Sequence, residues 1–138
     1  DMLQAMNTGH DGSLTTAHAN SPRDLISRLE VMVLMAGIEL PVSAIREQVA
    51  SAVDIVVQQT RFACGSRKIT HIAEVAGVES GVIQLQDLFV YRKIGYGEDN
   101  RVQGYFTGTG IVPSFYDEMT QAGAALDLSI FNERNPLQ

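Results

Sequence analysis

From Pro22 to Ala36 apolar residues recur at helical spacing, with Leu25, Leu29, Met32 and Met35/Ala36 on one stripe and Gly37 placed to end the run. Just upstream, Ser21 has the chemistry of an N-cap. Pro22 falls at the first helical position, where its missing N–H costs nothing, and Asp24 completes a capping-box pattern. Pro41 opens a second predicted helix of about twelve residues, with Ile45, Val49 and Val53 inward and Arg46, Glu47 and Gln48 outward.

The pattern then changes period. "DIVVQQTRF" (54–62) carries a continuous apolar run, which predicts a strand buried on both faces. "ACGS" reads as a turn and "RKITHIAEVAGVE" (67–79) as a returning strand, so residues 54–79 form a predicted hairpin. Val82–Lys93 is a third predicted strand, interrupted at Asp87. Glycines at 95, 97, 104, 108 and 110 predict a loop region with at most one short strand, Val102–Thr107. Ser114, behind Pro113 and ahead of Asp117, is placed to cap a last short helix ending at Gly123, after which Leu126, Leu128 and Ile130 alternate. At the other end, Thr-rich Ser13–Ala17 predicts a short strand. Asp1–Asn7 reads as a helix, with Met2, Leu3 and Met6 sharing a face before Gly9. A sequence that opens inside a helix is expected to be a piece of a longer protein.

The chain's 138 residues suit one domain (1–138), with segments 1–36, 41–93 and 94–138. Helical and strand patterns mix without strict alternation, which predicts an α/β fold with an antiparallel extension. Ten Lys+Arg against 16 Asp+Glu give a net charge of −6, a field that does not attract nucleic acid or anionic membrane in bulk. The longest uncharged apolar run, Val31–Ile38, is far short of the roughly 20 residues that span a bilayer. The single cysteine, Cys64, has no partner for an internal disulfide, which favours a reducing, cytoplasmic setting.

Candidate chemistry concentrates in "TGHDGSLTTAHAN" (8–20), where His10 and His18 flank the Thr-rich stretch. His18 precedes the cap Ser21, so it lies near backbone N–H groups that favour anions, and Arg23 adds a guanidinium in the first turn. His18, Asn20, Ser21 and Arg23 therefore compose a phosphate-sensing corner. Two other readings remain open on spacing alone. The imidazoles are structural, or they bind zinc, which would have to recruit Cys64 and His71 from elsewhere in the chain.

"TGHDGSLTTAHANSPRDLISRLE" resembles the histidine box of the type II/IV secretion ATPases and is most similar to the CpaF-like branch that powers Flp/Tad pilus assembly. The resemblance continues through "LPVSAIREQVASAVDIVVQQTRF", "GSRKITHIAEVAGVE", "LQDLFVYRK" and "PSFYDEM…G…LDLSIF". It implies the C-terminal part of a RecA-like P-loop ATPase domain, with an antiparallel hairpin extension and a helical tail. It also implies a homohexameric motor that uses ATP and Mg²⁺ for pilin export or pilus assembly. Such a motor sits in the cytoplasm, peripheral to the inner membrane, against platform proteins, without a membrane span and without nucleic acid.

By that resemblance His18 approaches the terminal phosphate or relays its presence to the neighbouring subunit, and His10 fixes loop geometry. Thr15 and Thr16 alternate sides of the predicted strand, so at most one of them, taken as Thr16, faces the site. Arg46, Arg61 and Arg67 are inter-subunit candidates. For Arg46 the competing reading is a solvated helix face, and for Arg61 and Arg67 protection of a strand edge. The chain contains no G-x-x-x-x-G-K-[ST], so these residues alone are expected not to hydrolyse ATP. The alternative function is a non-catalytic interaction domain with structural histidines.

Overall fold

The structure, a computed structural model, describes residues 12–37 and 39–136. The predicted N-terminal helix and His10 lie outside the described residues. Two helices, α1 (Pro22–Met35) and α2 (Val42–Ala52), precede four strands: β1 (Ile55–Arg61), β2 (Arg67–Glu79), β3 (Val82–Tyr96) and β4 (Val102–Gly108). A short helix α3 (Tyr116–Gln121) and a 3₁₀ turn (Leu128–Phe131) follow. The sheet order is β1-β2-β3-β4, an antiparallel meander in which each strand adjoins its sequence neighbour.

The chain divides into two units. The first comprises residues up to Val56 together with Val75–Leu85. Its core is built from Ile26, Leu29 and Val33 of α1, Ile45, Val49 and Ala52 of α2, and Val56, Val75 and Ile83 from the strands. The α1 stripe is therefore Pro22, Ile26, Leu29 and Val33, and the expected Met32 and Met35 are 62% and 82% exposed. Arg23, Asp24, Ser27, Arg28 and Glu30 mark a polar side over the first turns, but from Val31 to Ala36 every residue is apolar, so periodicity there does not say which of them face the core. Packing against α2 selects the branched side chains.

A second correction concerns β1. Its burial alternates and only Val56 among its residues is fully buried, whereas Ile55 and Val57 are 37% and 56% exposed. A strand in an antiparallel meander covers one face, and the run Ile55-Val56-Val57 is not a two-sided core strand. Ser13–Ala17 forms no strand. All five residues are exposed, including the large apolar Leu14, and they join no ladder of the described sheet that would hold them extended.

The β1–β2 connection closes with the Gly65 N–H on the Phe62 carbonyl at 2.8 Å and the Phe62 N–H on the Ser66 carbonyl at 2.8 Å. Gly65, at φ 89°, takes the left-handed position, which lets Cys64 stand beside it. Ser80 (φ 52°) and Gly81 (φ 77°) form the two-residue turn between β2 and β3, with both central residues left-handed as the strand twist requires.

The second unit comprises Val57–Glu74 and Gln86–Gln138. The β3–β4 register runs from Phe89↔Gly108 to Tyr96↔Val102 and slips between Lys93 and Gly95, where Ile94 is the surplus residue of a β-bulge. β4 extends one residue beyond the predicted Val102–Thr107. The tail holds a further correction. Helix α3 has Phe115 at its N-cap with no side-chain cap. Ser114 instead gives its backbone N–H and its hydroxyl to the buried carboxylate of Glu74 on β2. Farther on, Leu128 and Ile130 lie in the 3₁₀ turn, whose buried residue is Phe131. Phe131 stacks against Phe89 with ring centres 5.6 Å apart, and a side chain at Gly108 would run into the Phe131 backbone.

Candidate functional site

The corner expected at the start of α1 is present as a capped helix end. The Ser21 hydroxyl accepts the Asp24 N–H at 3.0 Å and the Asp24 carboxylate accepts the Asn20 N–H at 2.9 Å, a near-reciprocal capping box. Arg28, one turn on, donates to the same carboxylate at 3.0 Å. Ser21 and Asn20 are thus engaged in holding the helix end, and Asp24 places a negative charge where an incoming anion would also be attracted.

The Asn20 N–H, and after it the Arg28 guanidinium, hold the Asp24 carboxyl below its usual 3.8. A carboxylate with a depressed folded-state pKa contributes stability that is present above its unfolded value and lost as pH falls through the folded one. The melting-temperature gap between the wild-type chain and Asp24→Asn is therefore expected to close as pH drops from roughly 5 to 2. A gap that stays constant across that range would contradict the assignment.

His18 stands three residues ahead of the cap, with an exposed side chain, and Thr16 is exposed beside it. Arg23 points elsewhere. Its Nη1 donates to the Ile83 carbonyl at the start of β3, 60 residues away, at 2.7 Å. Arg46 on α2 makes the matching contact, with Nη1 on the Gly81 carbonyl at 2.8 Å and Nε facing Glu30 of α1 at 3.4 Å. Two arginines from two helices thus clasp the same β2–β3 turn, a role that the local pattern around either residue gave no sign of. Arg61 and Arg67 are exposed at the facing ends of β1 and β2.

The structure therefore brings Asn20, Ser21 and Asp24 together and leaves His18 and Thr16 exposed next to them in sequence. It directs Arg23 and Arg46 to the β2–β3 turn. Among the described residues no three of His, Cys, Asp and Glu converge as a metal site would require. What the corner offers chemically is an imidazole and a hydroxyl open to solvent, beside a helix end whose own donors are largely used.

The site missed in the sequence is Glu74, only 2% exposed and bonded to Ser114. A lone acid in a strand pattern does not reveal that it will be enclosed. Cys64 also gains an environment. Hydrogen bonds from the Ser66 side chain and backbone, followed by that of the Val102 N–H at 3.4 Å from Sγ, lower the thiol from 9.0 to about 7. Iodoacetamide labelling of the folded chain is expected to reach half its maximal rate near pH 7 and to shift upward in Ser66→Ala. A midpoint near pH 9 in the unmodified chain would contradict this.

A sequence model of the family described as "Type II/IV secretion system protein" matches residues 1–112. Among curated proteins, the chain is 34% identical over 82 residues to the "Putative conjugal transfer protein" of Mycobacterium tuberculosis strain ATCC 25618 / H37Rv. That match covers 59% of this chain and 23% of the relative. It is 31% identical over 85 residues to the conjugal transfer protein TrbB of Rhizobium radiobacter, covering 62% of this chain and 25% of the relative. The matched stretch thus spans about a quarter of each relative's length. No helix among the described residues is long and apolar enough to cross a membrane. The family match takes in the histidine segment, both long helices and all four strands, and on that ground the chain belongs to the type II/IV secretion system protein family.

Proposed function

We propose that the chain is the histidine-bearing part of an ATP-hydrolysing subunit of a secretion or conjugation machine. In this reading the subunit is a homohexameric RecA-like motor of the CpaF-like, Flp/Tad pilus-assembly type. It works in the cytoplasm against platform proteins of the inner membrane. The observation that carries the proposal is His18, exposed just ahead of a rigidly capped 14-residue helix within the family-matched span. A side chain that held the fold together would be packed, whereas this one is free to meet a ligand.

The residues present fit an outer contact to ATP and not a nucleotide cradle. The chain has no P-loop sequence, Arg23 donates to a strand carbonyl, and Ser21 is a cap. Bound Mg²⁺–ATP would supply the phosphoanhydride to be cleaved. His18 would donate a hydrogen bond to a terminal phosphate oxygen, and Thr16 stands ready as a second donor. Arg46, Arg61 and Arg67 would serve subunit contacts, Arg46 through the turn it braces.

The test compares the 138-residue chain with a longer protein that contains it and a P-loop. The longer protein is expected to hydrolyse ATP in the presence of Mg²⁺ and to sediment as a hexamer, and the 138-residue chain to show no turnover above buffer. Turnover by the short chain, or a longer protein inert towards every nucleoside triphosphate, would overturn the proposal. The second reading, a non-catalytic interaction domain, is favoured by one observation: the Ser21 hydroxyl, the Arg23 guanidinium and the Asn20 backbone N–H are all engaged within the fold.

A further inference from the structure

The second unit carries a face whose composition the proposed motor role does not use. Phe62, at the end of the β1 hairpin arm, meets Tyr91 of β3 with ring centres 5.9 Å apart, and Tyr91 meets Phe106 of β4 at 4.9 Å. These contacts put the three rings on one side of the sheet. Tyr91 lies across Gly104, where any larger residue would collide with its ring. Lys68 of β2 reaches over Tyr91, with Nζ 5.9 Å from the ring centre.

Tyr91 and Lys93 are two apart on one strand, so they share this side. Regular alternation would then put Tyr96 on the opposite side. The surplus residue Ile94 reverses the alternation and returns Tyr96 to the same face, where Lys93 Nζ stands 5.2 Å over its ring. Lys68 and Lys93 are the chain's two lysines, and both are held over tyrosines on this one face. Phe131 covers Phe89 at one end of this side, whereas Phe106 and Tyr96 are 54% and 44% exposed, a large apolar surface open among the described residues.

We infer that this face docks an acidic partner segment in which carboxylates flank an aliphatic or aromatic anchor. The anchor would settle on Phe106 and Tyr91, and the carboxylates would take the ammonium groups of Lys68 and Lys93. Each ammonium is already positioned by its ring, so little side-chain freedom is lost when the acid arrives. Charge complementarity selects the occupant: cations and rings alternate on the face, while the chain as a whole carries −6.

That overall charge repels a polyanion. The ring planes are inclined at 56° and 57° to their neighbours, so they present edges and corners rather than the parallel platforms on which successive bases stack. The geometry therefore favours a peptide over single-stranded nucleic acid.

Fluorescence anisotropy of the 138-residue chain with a fluorescein-labelled (Asp-Leu-Glu-Phe)₃ peptide tests this. Saturable binding that weakens with salt is expected. The double variant Lys68→Gln/Lys93→Gln is expected to bind at least ~10-fold more weakly, and Phe106→Ser to do the same, each with an unchanged circular dichroism spectrum. Tyr96→Ser serves where Phe106→Ser fails to fold. The peptide (Asp-Ser-Glu-Ser)₃ should bind at least ~10-fold more weakly, and Arg28→Gln, a cation in the other unit, should change nothing. Absence of saturable binding, equal binding by the double lysine variant, or tighter binding of the oligonucleotide dT₁₂ would each overturn the inference.

Discussion

Replacing His18 with Ala in the longer, P-loop-bearing protein is expected to lower ATP turnover by ~10²-fold or more, with melting temperature and far-UV circular dichroism unchanged. Both halves of that expectation come from the same observation. An exposed imidazole on backbone outside any helix or strand contributes little to folding, so its removal leaves stability intact. A donor aimed at charge that develops on a terminal phosphate acts on the chemical step, so kcat should fall more than KM rises. Ser21→Ala makes the informative contrast. It removes the cap that accepts the Asp24 N–H and should cost about 1 kcal/mol of stability, so any loss of activity would come with a lower melting temperature. If His18→Ala hydrolyses ATP at the wild-type rate, the imidazole has no part in the reaction and the interaction-domain reading takes its place.

The second large effect is a contrast between two neighbours on α1. Ile26→Ala is expected to destabilise the chain by about 2–5 kcal/mol, and Met32→Ala by less than about 0.5 kcal/mol. Ile26 is 1% exposed and sits among Leu29, Val33, Ile45 and Val49, so its deletion opens a cavity that two helices and the strands must close around. Met32 is 62% exposed and its side chain already faces solvent. Urea unfolding followed by circular dichroism measures both. Equal losses, or a larger loss at Met32, would mean that α1 is rotated relative to this description.

That contrast also marks where sequence reasoning stops. The boundaries of α1 were legible because Ser21, Pro22 and Asp24 act on backbone within four residues of themselves. Its burial beyond Glu30 was not, because Val31, Met32, Val33, Leu34 and Met35 are all apolar and only a distant partner chooses Val33 among them. The same division separates the strands from their burial. The turn residues of "ACGS" announced the β1–β2 hairpin, while the apolar run Ile55–Val57 gave no hint that only Val56 would be enclosed. Ser13–Ala17 had the composition of a strand, and among the described residues it joins no ladder.

At the candidate site, the position of His18 ahead of the cap followed from the sequence. The destinations of Arg23 and Arg46 did not, since each ends on a carbonyl far along the chain. Glu74 and Ser114 found each other across 40 residues, a pairing that neither residue's neighbours encode.

The extra residue at Ile94 makes the chain unequally tolerant of shortening. Trimming the turn between Gly97 and Arg101 would shrink a loop and leave both flanking strands in place. Excising Ile94 alone would straighten β3 and carry Tyr96 to the reverse of the sheet, away from Lys93. In this stretch the count of residues, more than their identity, is what inheritance must preserve.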